Sequence, residues 1–184
     1  MIYVYTGDGK GKTTAAIGAG IRAVGLNKQV LMVQFMKVKE LTSEYKALQN
    51  IKNFHIESFG REGFYAPKRY LEENPEAKAF GVKPLSDIDF KLAQDGFDFV
   101  LNAVKSQKYH LIILDEICVV LHFELLPLET VANMLKKYKN DIHFILTGRN
   151  CPQRILDLSD LITEMKEVKH YFKEGKEAVK GIDF

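Results

Sequence analysis

The chain has no tryptophan and only two cysteines, Cys118 and Cys151. The two lie far apart in the sequence and lack metal-ligand spacing. That argues against a disulfide framework or a structural zinc site, and both are expected as free thiols in a reducing compartment. No apolar run approaches the length needed to cross a bilayer, and no signal peptide precedes the first apolar segment. The expected location is therefore the cytoplasm, with no membrane partner. Neither sign of charge dominates: 26 Lys and Arg stand against 24 Asp and Glu, which removes the electrostatic basis for nonspecific nucleic-acid binding. Repeats and low-complexity tracts are absent too. What remains is 184 residues, 46% hydrophobic and 27% charged. That size and composition suit one domain, residues 1–184, with a single core.

Four segments read as buried strands: MIYVYT (1–6), QVLMVQF (29–35), YHLIILDE (109–116) and IHFILTG (142–148). Each is a short, nearly continuous apolar run, the pattern of a parallel sheet covered on both faces. FHIESF (54–59) and LITEMK (161–166) are weaker candidates. Helical patterns lie between them. One runs from about Lys12 to Val24 and stops at Gly25. The longest opens at Ser86, where Asp89 can complete a capping box, and a third runs from about Pro127 to Tyr138. Alternating strands and helices predict a doubly wound α/β domain with five or six mainly parallel strands. Residues 60–85 break the pattern, with Pro67, Pro75 and Pro84 among charges and aromatics, and are expected to form a long irregular loop.

The stretch TGDGKGKTTAA (6–16) sits between the first strand and the first helix. It follows the phosphate-loop pattern G-x-x-x-x-G-K-[ST], with Thr6 in place of the first glycine and Gly11-Lys12-Thr13 intact. Backbone N–H groups of Gly7, Asp8, Gly9, Lys10, Gly11, Lys12, Thr13 and Thr14 could converge on phosphates at the positive end of the helix. Lys12 would reach the phosphates and Thr13 would offer its hydroxyl to Mg²⁺. A glycine-rich turn without a ligand is the competing reading. The other half of such a site should be a carboxylate at the end of a neighbouring strand. LIILDE supplies Asp115 and Glu116, either of which would hold Mg²⁺ directly or through water; a solvated strand end is the alternative. Arg149, just beyond the strand ending at Thr147, suits phosphate oxygens or is a surface arginine after a turn.

Taken together these pieces resemble the P-loop type of ATP:corrinoid adenosyltransferase. The resemblance is carried by TGDGKGKTTAA, by GAGIRAVG (18–25), by VQFMK (33–37) and Glu44, and by LDE (114–116) and LPLE (126–129). Its densest part is LTGRNCPQRILDLSDLITEMKEVKH (146–170), and it closes with GIDF (181–184). Val38 and Ser43 depart from the family, which has glycines there, and the family's central tryptophan is missing.

The resemblance implies transfer of the 5′-deoxyadenosyl group of ATP to the cobalt of a reduced corrinoid, with triphosphate leaving. Co(I) is itself a strong nucleophile, so no general base is required, and the five scattered histidines are expected to be structural. The protein's task is to stabilise charge on the triphosphate through Lys12, Thr13 and Glu116, with Mg²⁺ and Arg149 adding to the clamp. Arg22, about 13 Å of helical rise beyond Thr13, is too distant to touch the same phosphates easily; it either contacts another part of the nucleotide or sits on the surface. Phe59, Phe64 and Tyr65 could form a dry wall for the corrinoid, Phe64 foremost, or simply anchor the loop. Glu44 either orders its segment, meets the nucleotide or is solvated. A flavoprotein-type reductase as electron donor and a homodimer are implied by the family alone. A small-molecule kinase or hydrolytic ATPase, and a non-catalytic carrier, remain as other readings.

Overall fold

The computed structural model describes residues 1–171, 175 and 178–182; Asp183 and Phe184 of the GIDF ending lie outside them. Strands β1 (Ile2–Thr6), β2 (Val30–Phe35), β3 (Phe54–Phe59), β6 (Leu111–Asp115), β7 (His143–Thr147) and β8 (Leu161–Glu164) form one six-stranded sheet. Its order is β3-β2-β6-β7-β1-β8, and every pairing is parallel. Both weaker sequence candidates are strands, β3 at the predicted bounds and β8 shorter at its end.

Why the central strands read as unbroken apolar runs follows from what covers them. Every residue of β2 and β6 is buried. Alternate residues point to opposite faces. Leu31, Val33, Phe35, Ile112, Leu114, Phe144 and Leu146 enter one core, and Val30, Met32, Leu111, Ile113 and Ile145 enter the other. The first face is covered by α5 (Asp87–Ser106), α6 (Ile117–His122), α7 (Leu128–Tyr138) and α8 (Gln153–Leu156), the second chiefly by α1 (Lys12–Gly25) and α2 (Ser43–Leu48). The result is the doubly wound α/β fold. Helix α5 begins with the predicted capping box: Ser86 N–H donates to Asp89 Oδ2 at 2.8 Å. Pro127 sits one residue ahead of α7 rather than inside its first turn.

Two expectations are corrected. Residues 60–85 are not irregular: they hold β4 (Tyr65–Ala66), α3 (Lys68–Glu73), α4 (Pro75–Ala79) and β5 (Lys83–Pro84), with β4 and β5 paired as a separate small ribbon. Two of the three prolines mark element starts instead of disrupting structure, Pro67 preceding α3 and Pro75 opening α4, while Pro84 ends β5. Buried Leu71 anchors the segment, and Tyr70 packs against Phe123 with ring centroids 5.7 Å apart. Second, the strand carrying Asp115 does not adjoin β1, because β7 lies between them.

Helix α1 approaches the sheet closely at Gly20. A Cβ there would lie 2.6 Å from Cε2 of the buried Phe54 ring and 3.3 Å from Ile113 Cδ1. Gly20→Ala gains helix propensity of about 1 kcal/mol but must force a rigid ring aside, at about 1–3 kcal/mol. A net loss of stability is expected; a urea midpoint at or above wild type would refute the close-packing argument.

Candidate active site

The C-terminal ends of the parallel strands meet at a cleft of about 590 Å³, an ordinary size for a ligand site. One wall is the glycine-rich loop between β1 and α1, from Asp8 to Thr14. The other is built from Phe59, Gly60, Arg61, Gly63, Phe64 and Tyr65, with Glu116 and Arg149 between.

The loop's glycines are needed for two reasons. Gly7 and Gly11 have φ of 97° and 107°, the left-handed region that favours glycine. Gly7 and Gly9 also lie against the backbone just beyond β8. A Cβ on Gly7 would be 2.5 Å from Met165 O, and one on Gly9 would be 2.7 Å from it. Gly9 N–H donates to Met165 O at 2.7 Å, and Met165 N–H donates to Thr6 O at 2.8 Å. The loop is thus braced by the strand furthest from it in sequence. Lys12 Nζ curls back onto the loop, donating to Gly7 O at 2.7 Å and Gly9 O at 2.6 Å. Burial and the nearby Arg149 hold its pKa below the ordinary lysine range. Arg149, an exposed side chain, reaches across to Asp8 O at 3.2 Å.

Asp115 is the hub beneath the loop, fully buried at the end of β6. Its Oδ1 accepts from Thr13 Oγ1 at 2.8 Å and from Thr147 Oγ1 at 2.7 Å. Its Oδ2 accepts from Lys37 Nζ at 2.7 Å and from Gln34 Nε2 at 3.3 Å. Thr147, on the intervening β7, bridges the gap between the loop and the Asp115 strand, and its hydroxyl also accepts from Glu116 N–H at 3.0 Å. Glu116 has a left-handed φ of 62°, which turns its side chain into the cleft. Burial and the adjacent Asp115 raise its pKa above the ordinary carboxylate range, against the pull of Lys37, Lys12 and Arg149.

Gln34 extends the network along the sheet edge. It donates to Glu44 Oε1 at 2.9 Å and accepts from Ser58 Oγ at 2.9 Å. Glu44 therefore orders the segment after β2. Lys37 lies 3.6 Å from Glu44 Oε1 and 3.5 Å from Thr13 Oγ1. Burial works against its charge, but Asp115, Glu116 and Glu44 hold its pKa above the ordinary value. Val38 has ordinary extended dihedrals, and the left-handed residue of this segment is Met36, φ 56°. The missing glycine at 38 thus meets no left-handed conformation there.

The aromatic wall is held by Arg61. Its guanidinium pairs with Asp89 at 2.8 and 2.6 Å, donates to Ser86 Oγ at 3.0 Å, and lies 3.5 Å over the Tyr65 ring. Tyr65 Oη donates to Glu62 O at 2.8 Å, and Gly63 is left-handed. This closes a tight turn that leaves Phe64 76% exposed at the cleft. Phe59 packs against Phe99 with the rings tilted by 45°. At the loop's outer rim, Lys10 Nζ donates to Ile182 O at 2.8 Å, so Ile182 lies back against the site. His170, read as structural, lines the cleft. Arg22 is exposed on α1, away from it. Cys118 and Cys151 are both free thiols, yet they meet in space. A hydrogen bond with Cys151 and burial push the Cys118 thiol well up, so it stays protonated.

The predicted loop residues Asp8 to Thr14, with Glu116, Arg149 and Phe64, line one cleft, and Asp115 lies directly beneath; Gly7 is not among the lining residues and packs instead against Met165. Sequence reasoning missed the roles of Lys37, Gln34 and Thr147. A glutamine inside the apolar run VLMVQF, and a lysine two residues beyond it, were the available signals.

A model of the family described as "ATP:corrinoid adenosyltransferase BtuR/CobO/CobP" matches residues 1–184. The Corrinoid adenosyltransferase of Escherichia coli K12 is 33% identical over 186 residues, spanning 100% of this chain and 85% of its own. Corrinoid adenosyltransferase CobA of Salmonella typhimurium LT2 is 32% identical over 185 residues, with the same coverage of 100% and 85%. A Corrinoid adenosyltransferase from Pseudomonas aeruginosa is 27% identical over 187 residues, covering 100% and 83%.

Gly9→Ala pits a methyl group against the Met165–Lys166 backbone, so loop or strand must shift. The expected result is MgATP affinity weakened about tenfold or more, roughly 1.4 kcal/mol, in a protein that still folds. Titration calorimetry with unchanged affinity would dissociate the loop from nucleotide binding.

Proposed function

The chain belongs to the ATP:corrinoid adenosyltransferase family and is a transferase acting on ATP and a corrinoid; we propose that the cleft is where the transfer occurs and that the residues lining it divide the work as follows. The triphosphate lies on the glycine-rich loop, its oxygens met by the loop N–H groups, by Lys12 and by Arg149. Lys12 leaves the Gly7 and Gly9 carbonyls to do so. The reduced corrinoid approaches the ribose from the side of Phe64. Its Co(I) attacks C5′, a cobalt–carbon bond forms, the C5′–O bond breaks, and triphosphate departs with that electron pair.

The single observation that carries this reading is one continuous cleft with a phosphate cradle on one wall and an exposed aromatic on the other. Charge develops on the triphosphate, and the donors lining that wall, Lys12 and Arg149 among them, would turn onto it. Preorganised donors of this kind contribute about 3 kcal/mol each. No side chain is required to take a proton, because the nucleophile is the metal. Phe64 and its neighbours exclude water and a lower axial ligand, which makes cobalt easier to reduce.

The donors at the base of the cleft fit a magnesium ion. Thr13 and Asp115 already share a cation, the Lys37 ammonium, with Glu116 alongside. No group of three or more His, Cys, Asp or Glu converges among the described residues, so phosphate oxygens and water would complete the shell, as is usual for Mg²⁺. When bound, the ion supplies charge neutralisation to the leaving triphosphate. By the same reading the chain is one domain, residues 1–184. It works in the cytoplasm as a homodimer and receives its electron from a donor such as a flavoprotein reductase. Among the described residues no helix is long and apolar enough to cross a membrane.

Purified protein with ATP, Mg²⁺ and chemically reduced cobalamin is expected to form the cobalt–carbon bond, followed by absorbance, and to release intact triphosphate. ADP or orthophosphate without alkylated corrinoid would favour the kinase or hydrolase reading. Lys12→Ala is expected to lower turnover at least a hundredfold, about 2.7 kcal/mol, with an unchanged thermal midpoint; normal turnover removes Lys12 from the mechanism. Phe64→Ala should slow the reaction starting from Co(II) more than from prereduced Co(I). Equal losses would rule out an aromatic role in activating cobalt.

A further inference from the structure

Asp115 has four partners, and three of them, Thr13, Thr147 and Gln34, are neutral. Its charge is balanced by Lys37 alone among the groups bonded to it, at 2.7 Å. A buried carboxylate needs such a partner. The Lys12 ammonium is engaged elsewhere, on the Gly7 and Gly9 carbonyls. The Lys37 ammonium also lies 3.5 Å from Thr13 Oγ1. It therefore sits between the two groups that suit a divalent cation.

The backbone of Lys37 is fixed, so moving its ammonium off Asp115 needs only a turn of the side-chain torsions. Met36 N–H donates to Phe59 O at 2.9 Å, and its left-handed φ turns the chain off β2. Gly60 packs so tightly here that a Cβ on it would lie 2.4 Å from Lys37 N and 2.7 Å from Lys37 O. The tetramethylene stem, by contrast, borders the open cleft. Two cations cannot crowd the same carboxylate oxygen without strong repulsion. An arriving metal and the resident ammonium therefore exclude one another.

We propose that Lys37 is an exchangeable counter-cation: it holds Asp115 and Thr13 in register while the nucleotide is absent, is displaced by the divalent cation that arrives with ATP, and then moves onto the triphosphate. The proposal rests on the reading of the cleft as a magnesium–triphosphate site. It makes metal binding conditional on the nucleotide. Without phosphates to receive the ammonium, the metal must evict it from the buried Asp115 toward the more exposed Glu44, already 3.6 Å away and a weaker partner than a triphosphate.

Mn²⁺ binding followed by electron paramagnetic resonance tests this without any turnover. Wild type without nucleotide should bind Mn²⁺ weakly, and Lys37→Met should bind it at least tenfold more tightly. Lys37→Arg keeps the charge and should stay weak. With the metal present, Lys37→Met should bind inorganic tripolyphosphate at least tenfold more weakly in calorimetry. Should the methionine variant not fold, Lys37→Gln, which still donates to Asp115, should show a larger rise in thermal midpoint with Mn²⁺ than wild type. Equal metal affinity or equal thermal shift, in a wild type that does bind Mn²⁺ with tripolyphosphate, overturns the role of Lys37 alone. A wild type that binds neither together overturns the underlying site reading, and this proposal with it.

Discussion

A carboxylate shut away from water must be answered by donors, and in this fold the answering groups come from across the sheet. Asp115 draws Thr13 from the start of α1, Gln34 and Lys37 from β2 and the turn after it, and Thr147 from β7. None of those bonds is local in sequence. A buried ionised group that lost them would cost several kcal/mol, so the four segments are held at one depth. That depth fixes where the loop meets the sheet, and hence where a triphosphate can lie. Thr147 matters most for topology. Although β7 stands between β1 and β6, Thr13 reaches Asp115 directly, and Thr147 on the strand between donates to the same carboxylate oxygen.

The two walls of the cleft are made in different ways. The loop side is held because glycines let two stretches of backbone touch, the loop and the chain just beyond β8. The aromatic side is held by one guanidinium, which grips Asp89 and covers Tyr65 while leaving Phe64 projecting. The walls are not independent. Gly60, just ahead of Arg61, presses on the Met36–Lys37 backbone, and Lys37 in turn reaches Asp115. A short chain of packed groups thus runs from the phosphate cradle to the aromatic turn, a physical route by which occupancy of one side could be felt at the other.

Much of this was legible in the sequence, for reasons that can be named. Continuous apolar runs identified the parallel strands because both faces are covered, and the loop announced itself through Gly11-Lys12-Thr13. Residues 60–85 misled because prolines that open helices look the same in sequence as prolines that break them. Strand order was beyond reach. Nothing local in HFILT says that it inserts between the loop strand and the acidic strand. Lys37 was quoted but left without a role, since its significance lies in a charge contributed from β6, far along the chain. Gln34 could have been noticed: a polar amide in a fully buried strand implies partners, and here they are Asp115, Glu44 and Ser58.

The contact between the glycine loop and the chain beyond β8 bears on how the protein is made. Residues 6–13 leave the ribosome well before the peptide units that brace them, around Met165. During synthesis the nascent loop lacks that support. The segment must wait, exposed, until the chain around Met165 arrives to complete it. Such remote pairing slows folding and makes the finished shape of this loop a late acquisition of the newborn molecule.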